Sequence, residues 1–89
     1  MEYSTIGKSL VYYSRPWMGG VWPHDYYLVA IVNSERIKIV WKVTQHIWLT
    51  DEEMDLTYWL EPSRSMMIGD VIVNRFGRFL CERTGWTEF

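Results

Sequence analysis

The residues able to do chemistry are few. His24 and His46 are the only histidines and Cys81 the only cysteine. A transition-metal site takes three or four such donors, commonly at short spacing, and neither HExxH nor CxxC occurs, so no metal site is expected. A nucleophilic Cys81 would need a base beside it and partial exposure. If Phe79 and Cys81 face the same way in their strand-like stretch, Cys81 reads instead as a small inward-facing hydrophobe. His46, near the end of a predicted helix, is expected to cap the last carbonyls. Gly19-Gly20 lacks the Lys-Ser/Thr that completes a phosphate loop. The carboxylates Asp51, Glu52, Glu53, Asp55 and Glu61 are bunched together, which does not supply the one-high, one-low pair that acid–base catalysis requires. No catalytic residue, cofactor or enzymatic activity is expected from this set.

The most distinctive polar residues are Arg64, Ser65 and Asp70, within Arg64-Ser65-Met66-Met67-Ile68-Gly69-Asp70-Val71-Ile72-Val73. Gly69 permits a turn or bulge, and Asp70 can accept bonds from nearby backbone N–H groups. Arg64 is placed to pair with Asp70 or with the backbone. The structural reading is a strand entry pinned by a turn. The functional alternative is a small polar site lined by Arg64, Ser65 and Asp70, with His46 converging on it.

These residues must be held by short elements. Leu10-Val11-Tyr12-Tyr13 is β-prone and ends at Arg15-Pro16. Residues 15–25 (RPWMGGVWPHD) contain two prolines, a Gly-Gly pair and two tryptophans, which makes them a loop. Its rings either fold back as a lid over the core or wait for a partner. Tyr26–Val32 is seven apolar residues in a row and predicts a central strand buried on both faces. Ser34 is a candidate N-cap. Residues 35–46 fit two templates. As a helix, Ile37, Val40, Trp41 and Thr44 share one face and Lys38, Lys42 and Gln45 the other; as a strand, Ile37, Ile39, Trp41 and Val43 alternate with the rest. Thr50 before Asp51-Glu52-Glu53 predicts a capped single turn. Leu56–Leu60 is a further strand, Val71–Val73 and Arg78–Arg83 form a hairpin around Asn74-Arg75-Phe76-Gly77, and Trp86–Phe89 is a terminal β segment. The sum is one domain over residues 1–89, α+β, with a mainly antiparallel sheet packed with one main helix.

Composition narrows the function class. The chain carries 17% aromatic residues, including six tryptophans. Trp41, Trp48, Trp59 and Trp86 lie in or beside periodic segments and are expected in the core; Trp17 and Trp22 lie in the loop. Residues 1–47 hold five Lys/Arg against three Asp/Glu, and residues 48–89 hold four against eight. With a sequence pI near 5.6, a basic nucleic-acid face is not expected. No apolar run is long enough to span a bilayer, and Met1–Thr5 shows no basic start to a signal peptide. A reducing, cytoplasmic setting is the expectation.

At residues 64–73, followed by Gly85-Trp86-Thr87-Glu88-Phe89, the chain resembles small uncharacterised proteins of bacteriophages and mobile elements, including YodL-like proteins, with an R-S-x-S-V-G-D-V C-terminal signature. Val40-Trp41-Lys42-Val43-Thr44-Gln45-His46 is similar to a helical stretch of those proteins, and Tyr27–Val32 to the strand before it. Met67 departs from the pattern, where relatives carry Ser or Thr. The resemblance implies a helix at 35–46 and a phage or mobile-element origin in a host cytoplasm; it implies no reaction. The leading expectation is a non-catalytic protein that binds a host or viral protein through Trp17, Trp22, Tyr26 and Tyr27, residue types that dominate interfaces. Alternatives are a single-stranded nucleic-acid binder using Arg75, Phe76 and Arg78, a small-ligand site around Arg64, Asp70 and His46, and a homodimer that covers exposed strand edges.

Overall fold

The β-branched and aromatic stretches become strands. In the computed structural model, which describes residues 5–46 and 48–89, these are β1 (Ser9–Ser14), β2 (Tyr26–Val32), β3 (Thr57–Trp59), β4 (Val71–Asn74), β5 (Gly77–Glu82) and β6 (Gly85–Glu88). They form one sheet in the order β3-β2-β1-β4-β5-β6, and every neighbouring pair is antiparallel. Two short helices, α1 (Ile37–Val43) and α2 (Asp51–Asp55), complete an α+β fold with little helix. The expectation about a leader concerns Met1–Thr5, of which residues 1–4 lie outside the described residues.

The core forms on one face of this sheet. Val11 and Tyr13 of β1, Ala30 and Val32 of β2 and Ile72 of β4 pack with Val40 and Val43 of α1 and with Met66, all buried. Each such aliphatic side chain contributes about 1.5–3 kcal/mol of transfer free energy. The central strands are β1 and β4, so the expectation that Tyr26–Val32 is central is corrected: β2 lies second from an edge, and four of its seven residues are only half-buried. Its unbroken apolar run has a different cause. Val11 pairs with Ala30 but Tyr12 pairs with Leu28, leaving Val29 as an extra residue. That bulge interrupts the alternation, so Val29 and Ala30 are both buried.

The helix at 35–46 is present but shorter than expected, and its cap differs. Arg36 is the N-cap, without a side-chain capping bond; the Ser34 hydroxyl instead accepts from the Arg36 amide at 3.2 Å just outside the helix. The buried face is Val40, Val43 and Thr44, whereas Trp41 turns outward with Lys38 and Lys42. α2 forms as its sequence predicts. The Thr50 hydroxyl accepts from the Glu53 amide at 3.1 Å, and the Glu53 carboxylate accepts from the Thr50 amide at 3.0 Å, a complete capping box. Lys42 reaches across to Glu53 at 2.6 Å and joins the two helices. That hydrogen bond, more than any other cause, lowers the Glu53 pKa. Among the described residues no helix is long and apolar enough to cross a membrane.

Candidate functional site

Two places bring the singled-out residues together: a polar clamp at Asp70, and the aromatic loop that the clamp helps to hold. Asp70 is fully buried at the entry to β4. Its Oδ1 accepts from the Ser14 amide at 3.0 Å and from Arg64 Nη2 at 2.9 Å. Its Oδ2 accepts from the Met67 amide at 2.9 Å and from Arg64 Nη1 at 2.6 Å. Four donors on one carboxylate compensate a burial that would otherwise cost several kcal/mol. The fork of Arg64 matches the two oxygens, a geometry lysine lacks. Through these bonds a single side chain ties β1 to the segment entering β4.

The surroundings of the clamp are equally committed. The Arg64 guanidinium lies 4.2 Å above the Tyr13 ring, and the Tyr13 hydroxyl donates to the Arg64 carbonyl at 2.8 Å. Burial, then the Asp70 charge, raises the Tyr13 phenol above its ordinary pKa. The hydrogen bond to Asp70 is the main cause that raises the Arg64 pKa. Ser65 donates to the Gln45 carbonyl at 3.1 Å. His46 does not cap α1: it sits beyond the helix end at a positive φ of 63°. Its ring stacks on Trp59 at 4.7 Å, and Nε2 lies 3.4 Å from the Arg64 carbonyl. The expected polar set His46, Arg64, Ser65 and Asp70 therefore does converge on one neighbourhood. Its groups are already engaged: both Asp70 oxygens are buried and take the fork of Arg64, whose side chain remains 37% exposed, while Ser65 bonds the Gln45 carbonyl and His46 stacks on Trp59.

Cys81 faces the core as its alternation suggests. Its backbone continues the clamp, since the Cys81 amide donates to the Asp70 carbonyl at 2.8 Å and the Gly69 amide donates to the Cys81 carbonyl at 2.9 Å. Burial pushes the thiol up to about 11, which keeps it protonated and a poor nucleophile at neutral pH. Among the described residues no group of three or more His, Cys, Asp or Glu is placed to hold a metal ion.

Residues 15–25 close over the second face of the sheet. Trp22 is the wedge: its ring lies 5.0 Å from Tyr12, 5.2 Å from Tyr26 and 5.9 Å from Phe89. The Tyr12 and Phe89 contacts are edge-to-face and the Tyr26 contact is tilted; an edge-to-face pair adds about 0.5–1.5 kcal/mol beyond area burial. The loop is also stitched internally, by Arg15 N–H to the Asp25 carbonyl, Asp25 N–H to the Val21 carbonyl and Val21 N–H to the Asp25 carboxylate, each at 2.8 Å. Tyr26 donates to the Gly69 carbonyl at 2.6 Å. Gly69, at φ 96°, lets the loop lie directly on it: a Cβ there would stand 2.3 Å from the Met18 carbonyl carbon.

Of the four rings proposed to meet a partner, the structure leaves one open. Trp22 and Tyr26 are half-buried anchors, and Tyr27 packs against the core beneath the Arg15 guanidinium, 4.8 Å from its ring. Trp17 is 76% exposed, with Met18 and Val21 also exposed on the same loop. Met18 and Val21 are not singled out by their types, because neither is a usual interface anchor. Two tryptophans expected in the core lie outside it: Trp41 is 38% exposed and Trp48 is 90% exposed. Trp48 precedes the Thr50 cap, a position that belongs to no periodic element. On the β4–β5 hairpin, Arg75 pairs with Glu35 at 2.5 Å and lies over Phe76, while Arg78 donates to the Phe89 carbonyl at 3.2 Å.

No family model, curated protein or solved structure matches the chain.

Proposed function

We propose that this chain is a binding protein without catalytic chemistry of its own, which engages another protein through the 15–25 loop with Trp17 as the anchor. The observation that carries this reading is the contrast within the loop. Trp22 and Tyr26 lock it against the sheet and Gly69, while Trp17, Met18 and Val21 stand in solvent on that fixed base. A pre-ordered aromatic surface loses little conformational entropy on binding, which favours affinity. Tryptophan is also the residue type most enriched among interface hot spots. The saturated Asp70–Arg64 clamp and the protonated Cys81 thiol support binding over catalysis. The resemblance of residues 64–73 to phage and mobile-element proteins supports a host or viral protein as the partner.

The test compares Trp17→Ala with the wild type in affinity purification from cells that express the chain. Trp17→Ala is expected to keep the melting temperature and to weaken retention of the partner by about 2 kcal/mol, or roughly thirtyfold. Retention equal to wild type in a folded variant overturns the reading, as does a loss of folding on this exposed substitution.

A further inference from the structure

Beside the 15–25 loop lies a cavity of about 320 Å³, lined by Met18, Gly19 and Gly20 of the loop, by Tyr26, and by Leu80 and Glu82 of β5. Strand register places the β5 side chains on this face. Tyr12, whose ring meets Trp22, pairs with Val71, Val71 with Leu80, and Leu80 with Thr87; cross-strand partners share a face. Glu82 lies two residues beyond Leu80 and therefore on the same side, where the Thr87 hydroxyl donates to its Oε2 at 2.5 Å. Its other oxygen accepts no bond among the described residues, and Glu82 is exposed and joins no ion pair there. The cations of this hairpin are committed elsewhere. Arg78 is four residues away along the strand, about 13 Å, and is held by the Phe89 carbonyl and ring. Arg83 lines a separate hollow beside Trp41 and Trp86. The loop's own Arg15 lies over Tyr27.

We propose that this cavity receives a lysine or arginine side chain of the protein that the Trp17 loop engages, its stem on Met18, Tyr26 and Leu80 and its cationic head on Glu82. The inference rests on the loop's being the binding surface and adds the chemistry of what it binds. Charge and wall composition select this occupant. A long basic side chain lays its methylenes on apolar surface while its head keeps polar company, and the cavity offers one apolar wall set and one carboxylate. An acidic side chain would meet the like charge of Glu82. A purely apolar one would cover the carboxylate without giving it a partner, which is costly. The volume stands at the small end of the 300–1,000 Å³ range of sites that enclose organic groups, which suits one side chain. Met18, the residue after Trp17, forms part of the wall, so one partner segment can reach the exposed ring and the cavity together.

Amide NMR of the whole chain, titrated with N-acetyl-lysine methylamide and N-acetyl-arginine methylamide, tests the cavity without the partner. The uncharged N-acetyl-norleucine methylamide is the control. The charged probes are expected to bind at about millimolar strength, the scale for fragments of this size, shifting the amides of residues 18–20, 69 and 80–82. Binding should weaken with added salt. Glu82→Gln keeps the shape and an acceptor for Thr87, and is expected to weaken the charged probes at least about tenfold. No saturable shift, equal binding of the norleucine probe, or indifference to Glu82→Gln overturns the proposal and leaves the Trp17 reading standing. In affinity purification, Glu82→Lys with an unchanged melting temperature is expected to lower partner retention at least about tenfold. Probes that bind while both Trp17→Ala and Glu82→Lys retain the partner would identify a site for free cationic ligands and overturn the partner's side chain as occupant. Full retention by Glu82→Lys, with Trp17→Ala defective, overturns this inference alone.

Discussion

Asp70 shows how much one side chain can determine when it is buried with all its partners. Replacing it with Asn keeps the shape but turns an amide NH₂ toward donors that both oxygens now accept. The expected loss for Asp70→Asn is about 3 kcal/mol, the scale for breaking a buried pair, and a fall in melting temperature of more than about 10 °C for a domain of this size. Chemical and thermal denaturation measure both; a change within about 0.5 kcal/mol, the range of ordinary surface substitutions, would show that the clamp is dispensable. Cys81 gives a second prediction. The folded chain holds the thiol proton up to about pH 11, against 9.0 for the ordinary group. The contribution is therefore whole below pH 9 and is lost as pH rises toward 11. Tyr13 is shifted in the same direction by burial. Stability should be flat around neutral pH and decline above about pH 9, with Cys81→Ala reducing the first part of that decline. An unchanged alkaline slope in Cys81→Ala would contradict the assignment. The Arg64–Asp70 pair is legible in the sequence because its members are six residues apart. The Ser14 amide, 56 residues from Asp70, is not, because a backbone donor leaves no mark on residue type.

At the scale of elements, the loop at 15–25 depends on Gly69. A methyl at that position meets the backbone of Met18 and Gly19 at 2.3–2.4 Å, and a φ of 96° already disfavours any side chain. Gly69→Ala is expected to destabilise the chain by about 2–4 kcal/mol through a clash with rigid backbone. It should also free the Trp22 ring, read as a red shift of tryptophan fluorescence and faster exchange of the Val21 and Asp25 amides. A variant with wild-type stability and emission would show that the loop does not rest on Gly69. Pro, Gly and Trp content identified this segment as a loop with aromatic contents, but which tryptophan turns inward depends on where the second face of the sheet lies. α1 shows the same division. The spacing was sufficient for a helix, yet Trp41 and Val43, two residues apart, lie on nearly opposite sides of its circumference and cannot both face the sheet. The sheet takes Val43, and Trp41 is left beside Lys38 and Lys42. The Thr50 capping box is local and could be read directly, whereas His46, expected as a cap, finds Trp59 across a tertiary contact.

For the whole molecule, the strand stretches and their antiparallel, α+β character follow from alternation and turn residues, all local signals. The order β3-β2-β1-β4-β5-β6 does not, because β1 pairs with β2 as its neighbour in the chain but with β4 across about 60 residues, from Leu10 to Val73 and Tyr12 to Val71. The bulge at Val29 explains why the same apolar run suggested a central strand. The resulting sheet places Trp17 at one end, while the β3 edge with exposed Tyr58 lies among different elements. Site-specific photocrosslinking uses that separation. A benzophenone amino acid at position 17 or 21, in cells that express the chain, should give the same single protein adduct, and at position 58 it should give none. Equal adducts from all three positions, or no adduct from 17 and 21 in a folded chain, would contradict the claim that the loop is the binding surface.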